Sequence, residues 1–427
     1  MERLLSKNWD RADSHKLSSY KKGERYKAFK QALDGELERE AIIDEVKRSN
    51  LRGAGGAGFP AGLKWSFVPQ NTGKPIYLVV NADESEPGTY KDRNIIERDP
   101  HLLLEGIGVT CKAINAHTAY IFMRGEYTGP WRVLNEAIRE AYAEGIFGER
   151  CMGSDYALDV YIHRGAGAYI CGEETGLLEA LEGKKGMPRM KPPFPAVEGL
   201  FGCPTVINNV QTIATVPLVL EVGAEKFAEM GHERCGGTHL YNISGHFKNP
   251  GVYELPFGTT YREILEVAGG MRDPNKPLKA LIPGGASTPV LLPDEIDVKS
   301  DFDSLKGLGS MFGTGAVMAL EEGTCMVRTA LRFMEFYHHE SCGQCTPCRE
   351  GGGWLTKIIH RIEHGHASPG DLDLVLDVAT NIGGNTICAL GDAAAMMTKP
   401  MVEKFRDEWV AHYDHGGCPF PKYPLAS

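Results

Sequence analysis

Three cysteines at three-residue intervals, followed at a distance by a fourth, most constrain how this chain can fold. Cys342, Cys345 and Cys348 lie in the run Cys-Gly-Gln-Cys-Thr-Pro-Cys, and Cys388 lies in Thr-Ile-Cys-Ala-Leu-Gly-Asp. Four thiolates in this spacing are typical ligands of a [4Fe–4S] cluster. The alternative is a structural zinc site, but zinc usually takes its ligands as two separated pairs. A two-cluster ferredoxin motif would carry a further cysteine near Gly352, and this sequence has none there, so it predicts one cluster.

Length and charge exclude several classes of protein. The 427 residues are enough for two to four domains, and the formal net charge of −10 argues against binding nucleic acid or an anionic membrane surface. The charged N-terminus does not resemble a signal peptide, and the most apolar stretch, Ile213 to Val222, is short and contains Pro217. We therefore expect any membrane association to run through a partner. Seven of the eleven cysteines are scattered singly, as expected of reduced thiols in a cytosol-like compartment.

The region from about residue 51 to residue 225 alternates predicted strands with predicted helices. Ile76 to Val80, Ala119 to Met123 and Leu158 to Ile162 are short apolar runs typical of strands. The three- and four-residue spacing of apolar side chains from Leu134 to Ala141 predicts a helix. Such alternation indicates an α/β domain, which together with the charged N-terminal segment makes residues 1–237 the first predicted domain.

Residues 238–310 have a different pattern. Leu240 to Ser244 and Val252 to Leu255 are predicted to pair around the turn Asn249-Pro250-Gly251, and Thr260-Tyr-Arg-Glu263 is a capping box that opens a short helix. A further strand near Ala280 to Ile282 completes the order expected of a small β-grasp-like domain. A loop-rich connection follows, through Ser310.

Residues 311–427 are predicted to be helical. Apolar positions from Leu355 to Ile362 form one stripe, those from Leu372 to Val378 form another, and Ser368-Pro369 is a plausible helix start between them. This pattern predicts a helical bundle, with the cluster cysteines at its mouth.

Two glycine-rich loops are candidates for a ligand site. Gly53-Ala-Gly-Gly-Ala-Gly58 matches the spacing of a dinucleotide-binding loop, but the residues before it have helical periodicity and charge, so the Rossmann fingerprint is rejected. The glycines still allow backbone N–H groups to approach a phosphate, with Lys64 nearby. The second loop, Arg164 to Glu174, follows a predicted strand and opens a helix. There Glu173 and Glu174 are also explained by the helix dipole alone.

Polar residues follow the first predicted strand. Asn81-Ala-Asp-Glu-Ser-Glu-Pro-Gly88 comes directly after Val80, and strand ends in open α/β sheets are where ligands bind. Its three carboxylates either belong to a solvated loop or accept hydrogen bonds from sugar hydroxyls. Asn208 and Asn209, with Thr212, form a third polar candidate that would also be compatible with a simple turn.

Together these segments resemble the NADH-binding flavoprotein subunit of respiratory complex I, NADH:quinone oxidoreductase. The likeness covers almost the whole chain beyond the first ~40 residues, in motif order and domain order. It is carried by the glycine loop with Phe-Pro-x-Gly-x-Lys-Trp, by the acidic run, by Gly-Ala-Gly-Ala-Tyr-Ile-Cys-Gly-Glu-Glu-Thr, and by the cysteine triplet. Two departures are Ala54, where the family usually has arginine, and Ala61, where it often has threonine. The first leaves the electrostatics beside the flavin loop open.

The resemblance implies a Rossmann-like FMN/NADH-binding domain, a ubiquitin-like β-grasp domain and a C-terminal helical bundle that carries the [4Fe–4S] cluster. It implies noncovalent FMN bound by Gly53, Gly55, Gly56, Lys64, Asn81, Asp83, Tyr169, Gly172, Glu173, Asn208, Asn209 and Thr212. It implies that NADH stacks on the flavin and meets Phe59, Phe67, Glu84, Glu86, Glu174, Lys191 and Phe194. Hydride then passes to the flavin and single electrons leave through the cluster, so no side chain acts as nucleophile or general base.

The resemblance also implies partners. These are a thioredoxin-like [2Fe–2S] subunit and a large iron–sulfur subunit, in a complex peripheral to the cytoplasmic side of a bacterial inner membrane. The nearest alternative is the same diaphorase module in an NAD-reducing hydrogenase or an NAD-dependent formate dehydrogenase. Those relatives often carry fused thioredoxin-like or ferredoxin segments, and the absence of both from this sequence favours complex I. A passive iron–sulfur electron-transfer protein with a dead flavin site is the second alternative.

Overall fold

The computed structural model describes residues 3–22 and 25–420. The chain falls into two compact units, each assembled from separate stretches of sequence. The first unit is Met1–Ser85, Thr89–Tyr241 and Val252–Gly258, and the second is Glu86–Gly88, Asn242–Gly251 and Thr259–Ser427. The first two residues of the predicted first domain and the last seven of the predicted third domain lie outside the described residues.

A parallel four-stranded sheet lies in the first unit, with the strand order β3-β2-β1-β4. Its strands are β1 Tyr77–Ala82, β2 Thr118–Met123, β3 Asp159–Arg164 and β4 Thr205–Asn209. The three predicted strands are confirmed to within two residues at each end. Strand β4 was not predicted, because only its two asparagines had been singled out.

Helices occupy most of the rest of the first unit. In chain order they are α1 Leu17–Lys21, α2 Lys27–Leu33, α3 Arg39–Arg48, α4 Ala61–Ser66, α5 Lys91–Arg98, α6 Pro100–Ile114, α7 Thr128–Ala143, α8 Glu174–Leu181, α9 Val210–Val222 and α10 Ala224–Glu229. The predicted helix at Leu134 to Ala141 is α7, and its apolar positions are buried. Helix α9 contains the apolar stretch Ile213 to Val222 and continues through Pro217.

Helices α6 and α9 form the densest part of the core of the first unit. Nearly every residue of α6 is buried, from Pro100 to Ile114. A Cβ added to Gly106 would lie 2.0 Å from the carbonyl oxygen of Ile213 in α9, so the two helices approach each other at a position that only glycine allows. This close packing fixes the start of α9, where residues of the candidate site lie.

A second sheet has the strand order β6-β5-β8-β7. Its strands are β5 Thr238–Gly245, β6 Gly251–Pro256, β7 Leu278–Ile282 and β8 Ala316–Glu321. β5 and β8 are parallel, whereas β7 and β8 are antiparallel. The predicted strands β5, β6 and β7 are confirmed. Strand β8 lies in the segment predicted to be helical, because a short apolar run such as Ala-Val-Met-Ala-Leu does not distinguish strand from helix.

In the part of the chain that the structure describes, two helices of the second unit lie between strands of the sheet, and five follow its last strand. In chain order they are α11 Tyr261–Val267, α12 Phe302–Gly307, α13 Met326–Glu340, α14 Thr346–Glu363, α15 Asp371–Ile382, α16 Ala389–Lys404 and α17 Arg406–Asp414. The predicted capping box is present at the start of α11, where Thr260 and Glu263 exchange hydrogen bonds with each other's backbone N–H. The apolar stripe of α14 from Leu355 to Ile362 is buried. None of the helices among the described residues has the length and apolar character needed to cross a bilayer.

Candidate functional site

The strand order places a topological switch point between β1 and β4. Connections run from β1 to β2 and β3 on one side, and the chain then returns to place β4 on the other side of β1. In parallel sheets of this kind ligands bind beyond the carboxyl ends of the strands at such a point. Asn81 of β1 lies directly opposite Asn209 of β4, so the predicted polar residues of both strands meet there.

Residues after β1 are held by short hydrogen bonds. The Asn81 side chain donates from Nδ2 to the carbonyl oxygen of Gly172 (2.9 Å), and its Oδ1 accepts from the N–H of Asp83 (3.1 Å). The Asp83 carboxylate is buried and accepts from the Ser85 hydroxyl at 2.6 Å. A Cβ added to Gly172 would lie 3.2 Å from that carboxylate. The second glycine loop therefore approaches the end of β1 closely, as the resemblance requires.

Residues at the end of β4 anchor the first glycine loop. Thr212 accepts through its hydroxyl oxygen from the N–H of Ala54 (2.9 Å), and Asn208 accepts through Oδ1 from the indole N–H of Trp65 (2.9 Å). Asn209 caps α9 by accepting from the N–H of Gln211 (2.9 Å). Residue 54 thus holds the loop in place through its backbone N–H, so an alanine side chain at this position is compatible with the loop conformation.

The first glycine loop lies between helices α3 and α4. Because a helix and not a strand precedes it, the rejection of the Rossmann fingerprint is confirmed. Gly56 and Gly58 have φ of +120° and +64°, which residues with a side chain seldom adopt. A Cβ added to the exposed Gly55 would meet only the Cβ of Asn209, at 3.4 Å. The open side of the loop, two asparagine amides and a buried carboxylate make a donor and acceptor set that fits FMN.

Four charged side chains of alternating sign lie beside this loop. Lys64 lies 3.1 Å from one oxygen of Glu174 and donates to the carbonyl oxygen of Ile207 (2.9 Å). Lys191 lies 3.1 Å from Glu174 and 3.1 Å from Glu173. Burial alone would raise the pKa of Glu174, but the two ammonium groups outweigh it and lower that pKa, so Glu174 is an anion at neutral pH. Glu173 caps α8 by accepting from the N–H groups of Thr175 and Gly176.

Glu84 is bound by groups outside the predicted NADH set. Its carboxylate accepts from the N–H groups of Asp92 (2.5 Å) and Arg93 (2.9 Å) in the first turn of α5, and from the Tyr127 hydroxyl (2.9 Å). Burial, and then repulsion by Asp92, raise the pKa of Glu84 to about 8. The backbone at Glu84 is left-handed, with φ of +42°. The predicted contact of Glu84 with NADH stays a prediction.

The remaining predicted contacts lie in varied surroundings. Glu86 belongs to the second unit, where it accepts from the N–H of Ser287 at 2.7 Å. Tyr169 opens the single turn of 3₁₀ helix that ends at Gly172. The three predicted aromatic side chains, Phe59, Phe67 and Phe194, are exposed. The ring centroids of Phe59 and Phe67 lie 6.2 Å apart.

A buried ion pair next to Asn209 was not singled out from the sequence. Lys91 and Asp92, at the start of α5, are buried and lie 2.8 Å apart. Lys91 donates to Asn209 Oδ1 (3.2 Å), and Asp92 accepts from Asn209 Nδ2 (2.7 Å). Their position just after the acidic run was the available signal, but adjacent opposite charges in sequence are usually on the surface. The pair fixes the orientation of the Asn209 amide.

The four predicted cluster cysteines lie in the second unit around two helix starts. Cys345 is the N-cap of α14, Cys388 is the N-cap of α16, and Cys348 lies in the first turn of α14. Burial raises the pKa of the Cys348 thiol, and the neighbouring Cys345 and Cys342 raise it further, while a hydrogen bond with Ser341 opposes them. Helix N-termini favour thiolates and an anionic cluster.

The four thiols are all partly exposed. A donor set of four cysteines and no other ligand type, three of them in one short run, fits a [4Fe–4S] cluster.

Comparison with known proteins agrees with both parts of the site. The profile described as the Nuo51 FMN-binding domain matches residues 46–218, and that of the NADH-ubiquinone oxidoreductase-F iron-sulfur binding region matches residues 328–412. An SLBB domain matches residues 240–291. The fold and the site are therefore those of a flavin- and iron–sulfur-binding protein.

Relatives over the full length identify the family. The chain is 52% identical over 419 residues to the second F subunit of NADH-quinone oxidoreductase from Rhizobium meliloti (strain 1021), covering 98% of this chain and 99% of the relative. It is 51% identical over 392 residues to the corresponding F subunit from Rickettsia typhi (strain ATCC VR-144 / Wilmington), covering 92% of each. A solved structure, NAD+-reducing [NiFe]-hydrogenase in the H2-reduced state, matches with a TM-score of 0.84 and 30% identity, over 100% of this chain and 68% of that one. The chain belongs to the family of NADH-quinone oxidoreductase F subunits.

Proposed function

We propose that the chain is the NADH-oxidising, FMN-dependent subunit of an NADH:quinone oxidoreductase. In this function it oxidises NADH at bound FMN and delivers single electrons through one [4Fe–4S] cluster to partner subunits. The observation that carries the proposal is the meeting of Asn81 and Asn209 at the switch point, beside a glycine loop that Thr212 anchors. The family relationship and the two cofactor-binding regions support it.

The chemistry that FMN supplies when bound is the conversion of a two-electron hydride transfer into one-electron transfers, for which an iron–sulfur cluster is the acceptor. The residues of the chain bind FMN and NADH and orient them. We assign FMN to the two glycine loops and to the polar ends of β1 and β4, with the residue set that the resemblance implies. Lys64, in the helix that follows the glycine loop, supplies a positive charge suited to the phosphate.

We assign NADH to the charged group around Glu174. Both oxygens of Glu174 are held by lysines, one by Lys64 and one by Lys191, so the carboxylate is fixed in place and remains an acceptor for ribose hydroxyls. The exposed rings of Phe59, Phe67 and Phe194 offer apolar faces for stacking. Hydride transfer between stacked rings needs no protein nucleophile or base.

We further propose the finer division of the chain. Residues 1–237 form the FMN/NADH domain, residues 238–310 a ubiquitin-like β-grasp domain with its connection, and residues 311–427 a helical bundle that carries the cluster. The strands β5 to β7 with α11, and the run of consecutive helices from α13 to α17, support this division. Strand β8 pairs with β5 and β7, so the sheet takes one strand from the third segment.

As a member of its family the chain is one subunit of a larger complex. We propose that its neighbours are a thioredoxin-like [2Fe–2S] subunit and a large iron–sulfur subunit, at the cytoplasmic side of a bacterial inner membrane. A gentle affinity purification of the tagged chain, followed by mass spectrometry, should recover both. Recovery of the native protein as a stable monomer would contradict the proposed partners.

A second candidate is the diaphorase subunit of an NAD-reducing hydrogenase or formate dehydrogenase. It is favoured by the TM-score of 0.84 to the hydrogenase chain, but the identity to that chain is 30%, against 52% to the Rhizobium meliloti relative. The same affinity purification distinguishes the candidates, because a nickel–iron or molybdenum-containing partner would replace the quinone-reducing subunits.

The cluster assignment is tested by Cys388→Ser. This substitution should remove the normal reduced-cluster signal in electron paramagnetic resonance, while FMN stays bound and NADH oxidation by an artificial two-electron acceptor is retained. Cys203→Ser, at a cysteine outside the set, is the matched control. Stoichiometric zinc without acid-labile sulfide in anaerobically prepared wild type would contradict the cluster.

A further inference from the structure

A second set of metal-ligand side chains lies in the unit that holds the cluster cysteines. Cys325, Glu363, His412 and Cys418 each contribute one ligand atom, and these atoms all lie within 4.8 Å of one another. Cys325 is the N-cap of α13, Glu363 is the last residue of α14, His412 lies in α17, and Cys418 follows α17. The set therefore joins four stretches of chain.

The distances within this set suit one small ion. The Cys325 sulfur lies 3.6 Å from the Cys418 sulfur, 3.2 Å from His412 Nε2 and 3.6 Å from Glu363 Oε2. His412 Nε2 lies 3.2 Å from Glu363 Oε2. Tetrahedral zinc with Zn–S bonds of about 2.3 Å and Zn–N or Zn–O bonds of about 2.0 Å holds its ligand atoms about 3.3 to 3.8 Å apart. The set is thus already close to the geometry of an occupied site.

The histidine presents the nitrogen that a metal needs. Its Nδ1 lies 2.7 Å from the carbonyl oxygen of Glu408, which can only accept, so the proton is on Nδ1. Nε2 then carries a lone pair, and that atom faces the cysteine sulfur and the glutamate. A metal-ligating histidine almost always makes such a hydrogen bond with its other nitrogen, because it fixes the ring and its tautomer.

The charges also balance when a divalent cation binds the deprotonated ligands. Arg328 donates from Nε to Glu363 Oε1 (2.8 Å) and from Nη2 to the Cys418 sulfur (3.0 Å). Two thiolates and one carboxylate carry three negative charges, and a divalent ion with one guanidinium carries three positive charges. Cys325, His412 and Glu363 are buried, so an unbalanced set of ligand anions would be costly there.

The backbone holds the last ligand in place without help from an ion. The N–H of Cys418 donates to the carbonyl oxygen of Glu363 at 3.1 Å. A Cβ added to Gly365 would lie 1.9 Å from the carbonyl oxygen of Gly416, so the turn after α14 packs directly against the turn after α17. Such preorganisation is expected of a closed structural site and not of a chance meeting of side chains.

This set is separate from the cluster ligands. Cys348 lies in the first turn of α14, whereas Glu363 is its last residue, about 22 Å along the helix at the rise of about 1.5 Å per residue. From the composition, geometry and charge of the set, we propose that Cys325, Glu363, His412 and Cys418 bind one zinc-class divalent ion as a closed structural site. Two thiolates with one imidazole favour zinc over hard cations. The ion ties the segment after α17 to the ends of α13 and α14.

The first test is a metal analysis of the native full-length protein with its cluster in place. We expect one zinc per chain in addition to the cluster iron, and an X-ray absorption spectrum with two sulfur and two nitrogen or oxygen neighbours. Zinc with four sulfur neighbours would lie in the cluster site and would contradict the proposal. Absence of any divalent metal beyond cluster iron, or a disulfide between Cys325 and Cys418 in a non-reduced digest, would also overturn it.

The second test uses substitution. Cys418→Ser changes the most exposed ligand of the set, and we expect zinc to be lost while iron and FMN remain; Cys203→Ser, at a buried thiol outside the set, should retain zinc. Zinc sulfate added to chelator-treated wild type should raise the melting temperature by several degrees, and this readout stands even if the variant fails to fold. The proposal would be refuted by a Cys418→Ser protein that keeps one zinc per chain. It would also be refuted if added zinc left the melting temperature of chelator-treated wild type unchanged.

Discussion

At the scale of single residues, we propose that Glu174 is the anion by which the protein distinguishes NADH from NADPH. It is fixed between Lys64 and Lys191, and both lysines lower its pKa. A carboxylate in that position accepts hydrogen bonds from ribose hydroxyls and repels a 2′-phosphate. The resemblance implied a contact of Glu174 with NADH, and the structure adds the two lysines, which neither spacing nor composition could place beside it.

Glu174→Gln keeps the size of the side chain and removes its charge. We expect the kcat/KM for NADPH relative to that for NADH to rise by about tenfold to a hundredfold, because a like-charge clash of a few kcal/mol is removed. Steady-state kinetics with both nucleotides measures the ratio. Glu179→Gln, on the same helix but paired with Arg189, is the control. An equal ratio in wild type and Glu174→Gln would mean that Glu174 only supports α8.

The raised pKa of Glu84 predicts how the stability of the folded protein depends on pH. Its folded pKa, raised to about 8 by burial and then by Asp92, lies above the ordinary value of 4.5, so the folded state binds more protons than the unfolded state between these values. The stabilisation is present below pH 4.5 and is lost as pH rises through 8. Glu84→Gln cannot ionise, so its melting temperature should fall less between pH 5.5 and pH 8.5 than that of wild type. Parallel pH profiles of the two proteins would contradict this explanation.

The residues predicted for FMN show what sequence can and cannot give. Asn81, Asn209 and Gly172 were chosen from motifs, and the structure brings them together at one edge of the sheet. Glu84 belonged to the same motif, but its carboxylate faces the first turn of α5. Which way a side chain points from a left-handed backbone depends on tertiary packing, so sequence could not predict it.

At the scale of elements, strands with clear apolar runs were predicted and ambiguous ones were not. β1, β2 and β3 were placed to within two residues, since each is a short apolar run between turn residues. β8 was missed inside a segment that is otherwise helical. The helices α1 and α2 were also not predicted, because their apolar residues meet the core only through long-range contacts.

The N-terminal stretch before α1 is tied down by one carboxylate of β6. Glu254 accepts from the N–H groups of Leu4 (2.8 Å), Leu5 (2.9 Å) and Ser6 (2.8 Å), and from the hydroxyls of Ser6 and Thr238 (both 2.6 Å). Nothing in the sequence links residues so far apart. The stretch is therefore expected to be ordered only while this carboxylate is intact.

Glu254→Gln should release the N-terminal stretch. Replacing a buried charged acceptor by an amide is expected to cost about 2–3 kcal/mol locally, because an NH₂ group then faces N–H donors. Hydrogen exchange of the amides of residues 4–6 should accelerate by about thirtyfold or more. Glu266→Gln, on helix α11, is the control. Unchanged protection in Glu254→Gln would show that apolar packing of Leu4 and Leu5 holds the stretch by itself.

At the scale of the whole molecule, the chain brings together the binding regions of two cofactors, FMN and a [4Fe–4S] cluster. The first unit holds the candidate nucleotide site at a topological switch point, and the second holds the four predicted cluster cysteines in and just before two helix starts. The motifs predicted both cofactors, since ligand spacing is local in sequence. They could not predict the second set of metal-ligand side chains, whose four members come from distant positions and meet only in the folded chain.

The central claim is that this chain takes a hydride from NADH and passes on single electrons. An anaerobic titration of the purified native protein with NADH, followed by absorbance and by electron paramagnetic resonance, tests it most directly. We predict that the yellow flavin absorbance bleaches and that the signal of one reduced [4Fe–4S] cluster appears in the same titration, whereas in Cys388→Ser the flavin bleaches without that signal. Protein that binds FMN but does not bleach with NADH, or that bleaches while its intact cluster stays oxidised, would contradict the account.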